Sequence, residues 1–161
     1  MDIVSSVLRC TLDTYLFFWA ECMNIYFTGA PQEGSSDTTR YADIAKLLSV
    51  YGIVATGSDS GQQPVAQQET QQLDERDIFE QNMSWLAEAD VVVAEVSVPS
   101  MRVGYELAHA EIMEKPIVCL YTTQSGSKLS TMLSGNANLE VQAYETMQDA
   151  AEILEDFLKS N

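Results

Sequence analysis

Residues 90–110 read DVVVAEVSVPSMRVGYELAHA, and this stretch decides the fold. Val91, Val92 and Val93 open a continuous β-branched and apolar run through Val96, the pattern of a central strand buried on both faces. Ser97, Pro99 and Ser100 break the run, and Gly104 precedes a helix-like stretch from Tyr105 to Glu114 that carries Glu106 near its start. A carboxylate just past the end of a central parallel strand stands where open α/β sheets place their ligands. Taken by itself, Glu106 reads more simply as an acid near a helix N-terminus, where the helix dipole stabilises it by about 0.3–1 kcal/mol.

Outward from this stretch, strands alternate with helices. Asn24–Thr28 is a first strand, followed by the glycine-containing loop GAPQEGSSD. Asp37 or Thr38 caps a helix in which Tyr41, Ile44, Ala45, Leu48 and Tyr51 recur at helical spacing. Ile53–Thr56 is a second strand. The segment 57–72 is rich in Gln, Ser and Gly and reads as a lid or an insertion. From Asp74, the run DERDIFEQNMSWLAEA places Ile78, Asn82, Trp85 and Ala89 on one helical face. A polar residue on that stripe is either a satisfied core amide or a group looking into a site. Pro116–Tyr121 is a fourth strand, Ser125–Ser134 a loop and short helix, Leu139–Ala143 a fifth strand, and Thr146–Leu158 a closing helix. The alternation predicts an α/β three-layer sandwich around a five-stranded parallel sheet.

The chain of 161 residues with 46% hydrophobic content fits one globular domain with a sizeable core. A formal net charge of −16 argues against nucleic-acid polymers and anionic membranes as partners, since both need a basic face. A small phosphate compound remains compatible, because backbone amides at a helix N-terminus and one arginine hold it whatever the total charge. Cys10, Cys22 and Cys119 have neither CxxC spacing nor histidines beside them, which points to a reducing compartment rather than to disulfides or zinc. With His109 as the only histidine, no multi-histidine metal site is available, and neither a metal nor a cofactor is expected. Residues 1–22 are apolar from Tyr15 to Ala20 but flanked by acids, so they read as an N-terminal extension rather than a signal peptide or a membrane span. The domain is expected over residues 23–161.

The line AEADVVVAEVSVPSMRVGYELAHA, with IYFTGAP before it and QSGSKLSTM after it, resembles the 2'-deoxynucleoside 5'-monophosphate N-glycosidases (Rcl-type) of the nucleoside 2-deoxyribosyltransferase superfamily. The resemblance runs from about Asn24 to Tyr144. It implies a hydrolase that frees the base from a deoxynucleotide, working as a homodimer in the cytoplasm or nucleus. Glu106, in GYEL, matches the family's nucleophile, and Tyr26, in YFTG, the tyrosine that orients it. Ser100 and Ser130 match serines that hold the 5'-phosphate, the second from a neighbouring subunit. The transferase branch carries an acid where Ser100 stands. The first loop, Gly29, Ala30, Pro31, Gln32, Glu33 and Gly34, would cradle the phosphate through backbone amides, although Pro31 has none to offer.

Four positions depart from the family pattern. Asn82 stands where the family has an acid assisting at the leaving base, and an amide donates no carboxylic proton, so a weakened catalytic set (Glu106, Tyr26, Asn82) is expected. Gln32 replaces a phosphate-facing arginine, and Ser58 a histidine. Arg102 replaces a glycine and is a candidate for the positive charge that Gln32 lacks. Two rival readings follow: a deoxyribosyltransferase that passes the sugar to a second base, and a nucleotide-binding protein without turnover.

Overall fold

The computed structural model describes residues 23–31, 36–57, 74–126 and 128–161. The expected N-terminal extension, Gln32, Glu33, Gly34, Ser58 and the rest of the 58–72 loop lie outside the described residues. In chain order the elements are β1 (Met23–Gly29), α1 (Ser36–Leu48), β2 (Gly52–Thr56), α2 (Glu75–Glu88), β3 (Val91–Glu95), α3 (Met101–Ile112), β4 (Ile117–Thr122), a 3-10 turn (Thr123–Ser125), α4 (Thr131–Ser134), β5 (Glu140–Tyr144) and α5 (Met147–Ser160). All five strands pair in parallel in the order β2-β1-β3-β4-β5.

Strand alternation assigns the layers. Ile25, Phe27, Val91, Val93, Val118 and Leu120 pack with Ile44 and Leu48 of α1 and with Ala150, Leu154 and Phe157 of α5. The intervening residues Tyr26, Val92, Ala94 and Cys119 pack with Leu86 of α2 and with Val103, Leu107 and Ala110 of α3. Successive strand side chains face opposite ways, so a strand covered by helices on both faces is apolar at nearly every position, and a polar residue in it needs partners. All five residues of β3 are buried, and each buried valine contributes about 1.5–3 kcal/mol relative to an exposed one.

Helix boundaries follow the caps. Asp74 caps α2 by accepting from the Asp77 amide at 2.8 Å. Thr146 and Asp149 form a reciprocal capping box at the start of α5. Three expectations need correction. Helix α1 starts at Ser36, so Asp37 and Thr38, expected as its cap, lie inside its first turn. Tyr51 lies beyond the end of α1 and is 38% exposed, because the chain turns after Leu48 to enter β2. The helix carrying Glu106 starts at Met101, with Ser100 as its cap and Gly104 inside it. A serine cap one residue ahead supplies the acceptor that Gly104 cannot. Glu106 therefore sits in the second turn, beyond the part of the helix where the dipole acts strongly.

Among the described residues no helix is long and apolar enough to cross a membrane. Cys119 is buried within β4 as a free thiol, and burial pushes its pKa up to about 12.

Candidate active site

In the order β2-β1-β3-β4-β5 the chain leaves β1 towards β2 on one side, while β3 pairs with β1 on the other. The connections diverge there, and the carboxyl ends of β1 and β3 border the crevice where open α/β sheets bind ligands. The residues converging on it come from β1, the end of β2, α2 and α3.

Tyr26 and Thr28 have the same parity on β1 and face α3, which packs against that side. Glu106 is 1% exposed there. Thr28 Oγ1 donates to Glu106 Oε2 at 2.5 Å. Arg102, one turn earlier on the same helix, places Nη1 at 3.0 Å from Oε1 and 3.1 Å from Oε2 of Glu106. The same nitrogen lies 3.0 Å from Thr28 Oγ1, and Nη2 donates to the Gly29 carbonyl at 2.7 Å. A carboxylate this deeply buried would be costly without such partners. Tyr26, wholly buried, brings its hydroxyl beside this group without reaching good hydrogen-bond geometry. Burial first, and then the negative charge of Glu106, push the Tyr26 phenol well above its ordinary pKa. It stays protonated and so can only donate towards the carboxylate.

Gly57, the residue after β2, closes this cluster. A Cβ there would lie 2.3 Å from the Tyr26 hydroxyl, 2.9 Å from Arg102 Nη1 and 3.1 Å from Glu106 Oε1. Only a residue without a side chain lets the backbone pass so close.

In front of Glu106 opens a cleft of about 210 Å³, walled by Ile78, Phe79, Asn82 and Met83 of α2 and by Tyr105 of α3, with Glu75 at its edge. Asn82 is 5% exposed and lines this cleft together with Arg102 and Glu106. The walls are largely apolar and aromatic, suited to a flat ring, with Asn82, Arg102 and the buried Glu106 as polar members of the lining. Such a lining orients a ligand that has one apolar and one polar part.

The nominated residues that the structure describes divide into three groups. Asn82, Arg102 and Glu106 line the cleft, with Tyr26 directly behind. Gly29 contributes its carbonyl, and Ala30 and Pro31 continue from it, half-buried. Ser100 and Ser130 are the N-caps of α3 and α4, accepting from Val103 at 3.4 Å and from Met132 at 3.3 Å, and neither lines the cleft. Thr28 and Gly57 were not nominated. Thr28 was recoverable in principle from its strand parity with Tyr26, whereas nothing in the sequence distinguishes Gly57 from an ordinary loop glycine.

A second buried carboxylate, Glu95, ends β3 on the opposite face. It accepts from Ser97 Oγ and from the Tyr144 hydroxyl at 3.0 Å, and Arg40 of α1 stands 3.8 Å away. Burial raises its pKa, opposed by the Ser97 hydrogen bond and by Arg40. Its donors tie β3 to β5 and α1, and it does not share the cleft. Among the described residues no group of three or more His, Cys, Asp or Glu side chains is placed to hold a metal ion.

The nucleoside 2-deoxyribosyltransferase family model matches residues 25–151, most of the chain. The 5-hydroxymethyl-dUMP N-hydrolase of Rattus norvegicus is 42% identical over 117 residues, covering 71% of each chain. That of Danio rerio is 39% identical over 140 residues, covering 86% of this chain and 97% of its own. A solved CMP N-glycosidase of Clostridium botulinum shares the fold with a TM-score of 0.58 at 17% identity, over 83% of this chain and 98% of its own. Family membership supports a site of the glycosidase and deoxyribosyl-transfer class. The chain belongs to the nucleoside 2-deoxyribosyltransferase family, in the branch of the 5-hydroxymethyl-dUMP and 2'-deoxynucleoside 5'-phosphate N-hydrolases.

Proposed function

We propose that the protein hydrolyses the N-glycosidic bond of 2'-deoxynucleoside 5'-monophosphates, giving free base and 2-deoxyribose 5-phosphate. The observation that carries this reading is the buried Glu106 carboxylate in the lining of a ring-sized cleft at the sheet's switch point. A Glu106 oxygen attacks C1' of the sugar, the bond from C1' to the base nitrogen breaks, and its electron pair leaves with the base. Water then splits the glycosyl ester and restores the carboxylate. Thr28 fixes the carboxylate, and the Tyr26 phenol steadies it from behind. Asn82 offers the departing base an amide hydrogen bond rather than a proton, so the base must take its proton from water. That loss is worth about 10²–10⁴-fold in rate and makes this a slow enzyme.

The 5'-phosphate is assigned to the first loop, from Gly29 to Gly34, together with Ser100, Arg102 and, across a homodimer, Ser130. Support for the last comes from Ser130 being exposed and outside its own chain's cleft, as a residue serving a neighbour would be. The reading of the protein as a nucleotide binder without turnover is favoured by one feature, the guanidinium of Arg102 on both oxygens of Glu106. Incubation with a panel of deoxynucleotides and deoxynucleosides, scored for free base by chromatography, separates the two. Glu106→Gln should abolish base release while the circular dichroism spectrum stays unchanged. Binding of a deoxynucleotide with no base released by the parent protein would overturn the hydrolase reading in favour of the binder.

A further inference from the structure

Of the eight described residues lining the cleft, Glu75 and Glu106 carry negative charge and Arg102 alone carries positive charge. Among the described residues, the one cation facing the cleft is therefore held by the group proposed as nucleophile. That arrangement opposes the reaction. In the transition state the carboxylate gives up its charge to the new C–O bond while the sugar becomes cationic. A guanidinium at 3.0 Å stabilises the starting carboxylate and repels the sugar, so it favours the ground state over the transition state. Arg102 is 17% exposed at its side chain, against 2% for Glu106, so the arginine is the partner with access to an entering ligand. Among the described residues lining the cleft, an entering anion meets a net negative set in which Arg102 supplies the one compensating charge.

We propose that Arg102 is a latch on Glu106 that the phosphate of the ligand opens, making Arg102 a specificity-determining residue that couples phosphate binding to release of the nucleophile. The inference rests on the reading of Glu106 as nucleophile. In the closed state Arg102 neutralises Glu106. A phosphate draws the guanidinium away, Thr28 keeps its hydrogen bond to Oε2, and the cationic sugar replaces the guanidinium as counter-ion. A deoxynucleoside without phosphate leaves the latch closed, so discrimination arises in kcat and not only in KM.

The test uses nitrogen-15 NMR of the arginine side chains, of which the sequence has four, Arg9, Arg40, Arg76 and Arg102, with Arg102→Lys identifying the signal. Inorganic phosphate, but not chloride at equal ionic strength, should move the Arg102 signal saturably. In Glu106→Gln the same shift should need about tenfold less phosphate, because apparent affinity falls with the fraction of molecules in which the guanidinium is free. A signal that ignores phosphate in the parent, or an unchanged affinity in a folded Glu106→Gln, overturns the latch; the parent titration alone decides if that variant does not fold. Both measurements need no turnover. In the turnover arm Arg102→Gly should narrow the kcat ratio of deoxynucleotide to deoxynucleoside by about tenfold or more, the population held by the latch setting the size of the effect. An unchanged ratio overturns the latch and leaves the hydrolase reading standing. A parent that releases no base but shows the phosphate-driven shift removes the hydrolase reading and keeps the latch as a binding device.

Discussion

Arg102 and Glu106 lie four residues apart on α3, and one guanidinium nitrogen reaches both carboxylate oxygens, at 3.0 and 3.1 Å. The pair is nearly buried, so its members depend on each other more than exposed i, i+4 pairs do. Replacing Arg102 with Met leaves a charge in the interior and should cost about 3–5 kcal/mol in chemical unfolding. The double variant Arg102→Met, Glu106→Gln should recover most of that loss, a coupling read from the double-mutant cycle. Additive losses would mean that the pair contributes nothing as a pair.

Gly57 carries no chemistry, yet a methyl group at its position would stand 2.3 Å from the Tyr26 hydroxyl. Gly57→Ala should therefore displace Tyr26 and the Glu106 group together, costing about 1–3 kcal/mol of stability as overpacking does. Deoxynucleotide binding should weaken in the same variant. Parent-like melting temperature and affinity, measured by calorimetry, would show that β2 and its following residue yield without disturbing the site.

Asn82 shares the cleft with Glu106 and stands on its α2 wall. Asn82→Asp supplies a carboxyl at nearly equal volume, so geometry changes little and proton donation to the departing base becomes available. Base release at saturating deoxynucleotide should rise about tenfold or more, within the range of general acid catalysis. A variant that binds deoxynucleotide but releases no more base than the parent would remove the missing acid as the cause of slow turnover.

Glu95 gives a pH signature independent of activity. Its folded pKa is raised by burial above the ordinary value of 4.5, so the folded state holds the proton more tightly than the unfolded chain. The resulting stabilisation is complete below the unfolded value and is lost as pH rises through the folded one. Glu95→Gln removes this dependence. The stability of the parent relative to the variant should fall from about pH 4 towards neutrality, measured by urea unfolding at several pH values. A difference that is flat with pH would mean that Ser97, Tyr144 and Arg40 fully offset the burial.

Pattern alone carried the architecture. The valine run of β3 and the alternation of strands with helices led to a five-stranded parallel sheet, because a strand covered on both faces is apolar nearly throughout. The position of Glu106 after that run pointed to a strand end where parallel sheets present ligands, but it was the likeness of GYEL to the family motif that nominated it as nucleophile. What the sequence could not supply was the set of partners. Placing the helix start after Gly104 instead of at Ser100 left Arg102 outside the helix and concealed its i, i+4 relation to Glu106. Thr28 is 78 residues from Glu106 in the chain, and the Arg102 contact with the Gly29 carbonyl spans 73. Such neighbours exist only once β1 lies between β2 and β3 and α3 packs across its end. Gly57 enters the site for the same reason, and Asn82 turns towards it because α2 packs beside α3. Local propensity fixes which element a residue occupies, whereas the environment of a buried charge is set by segments far apart in sequence that only the closed sheet brings together.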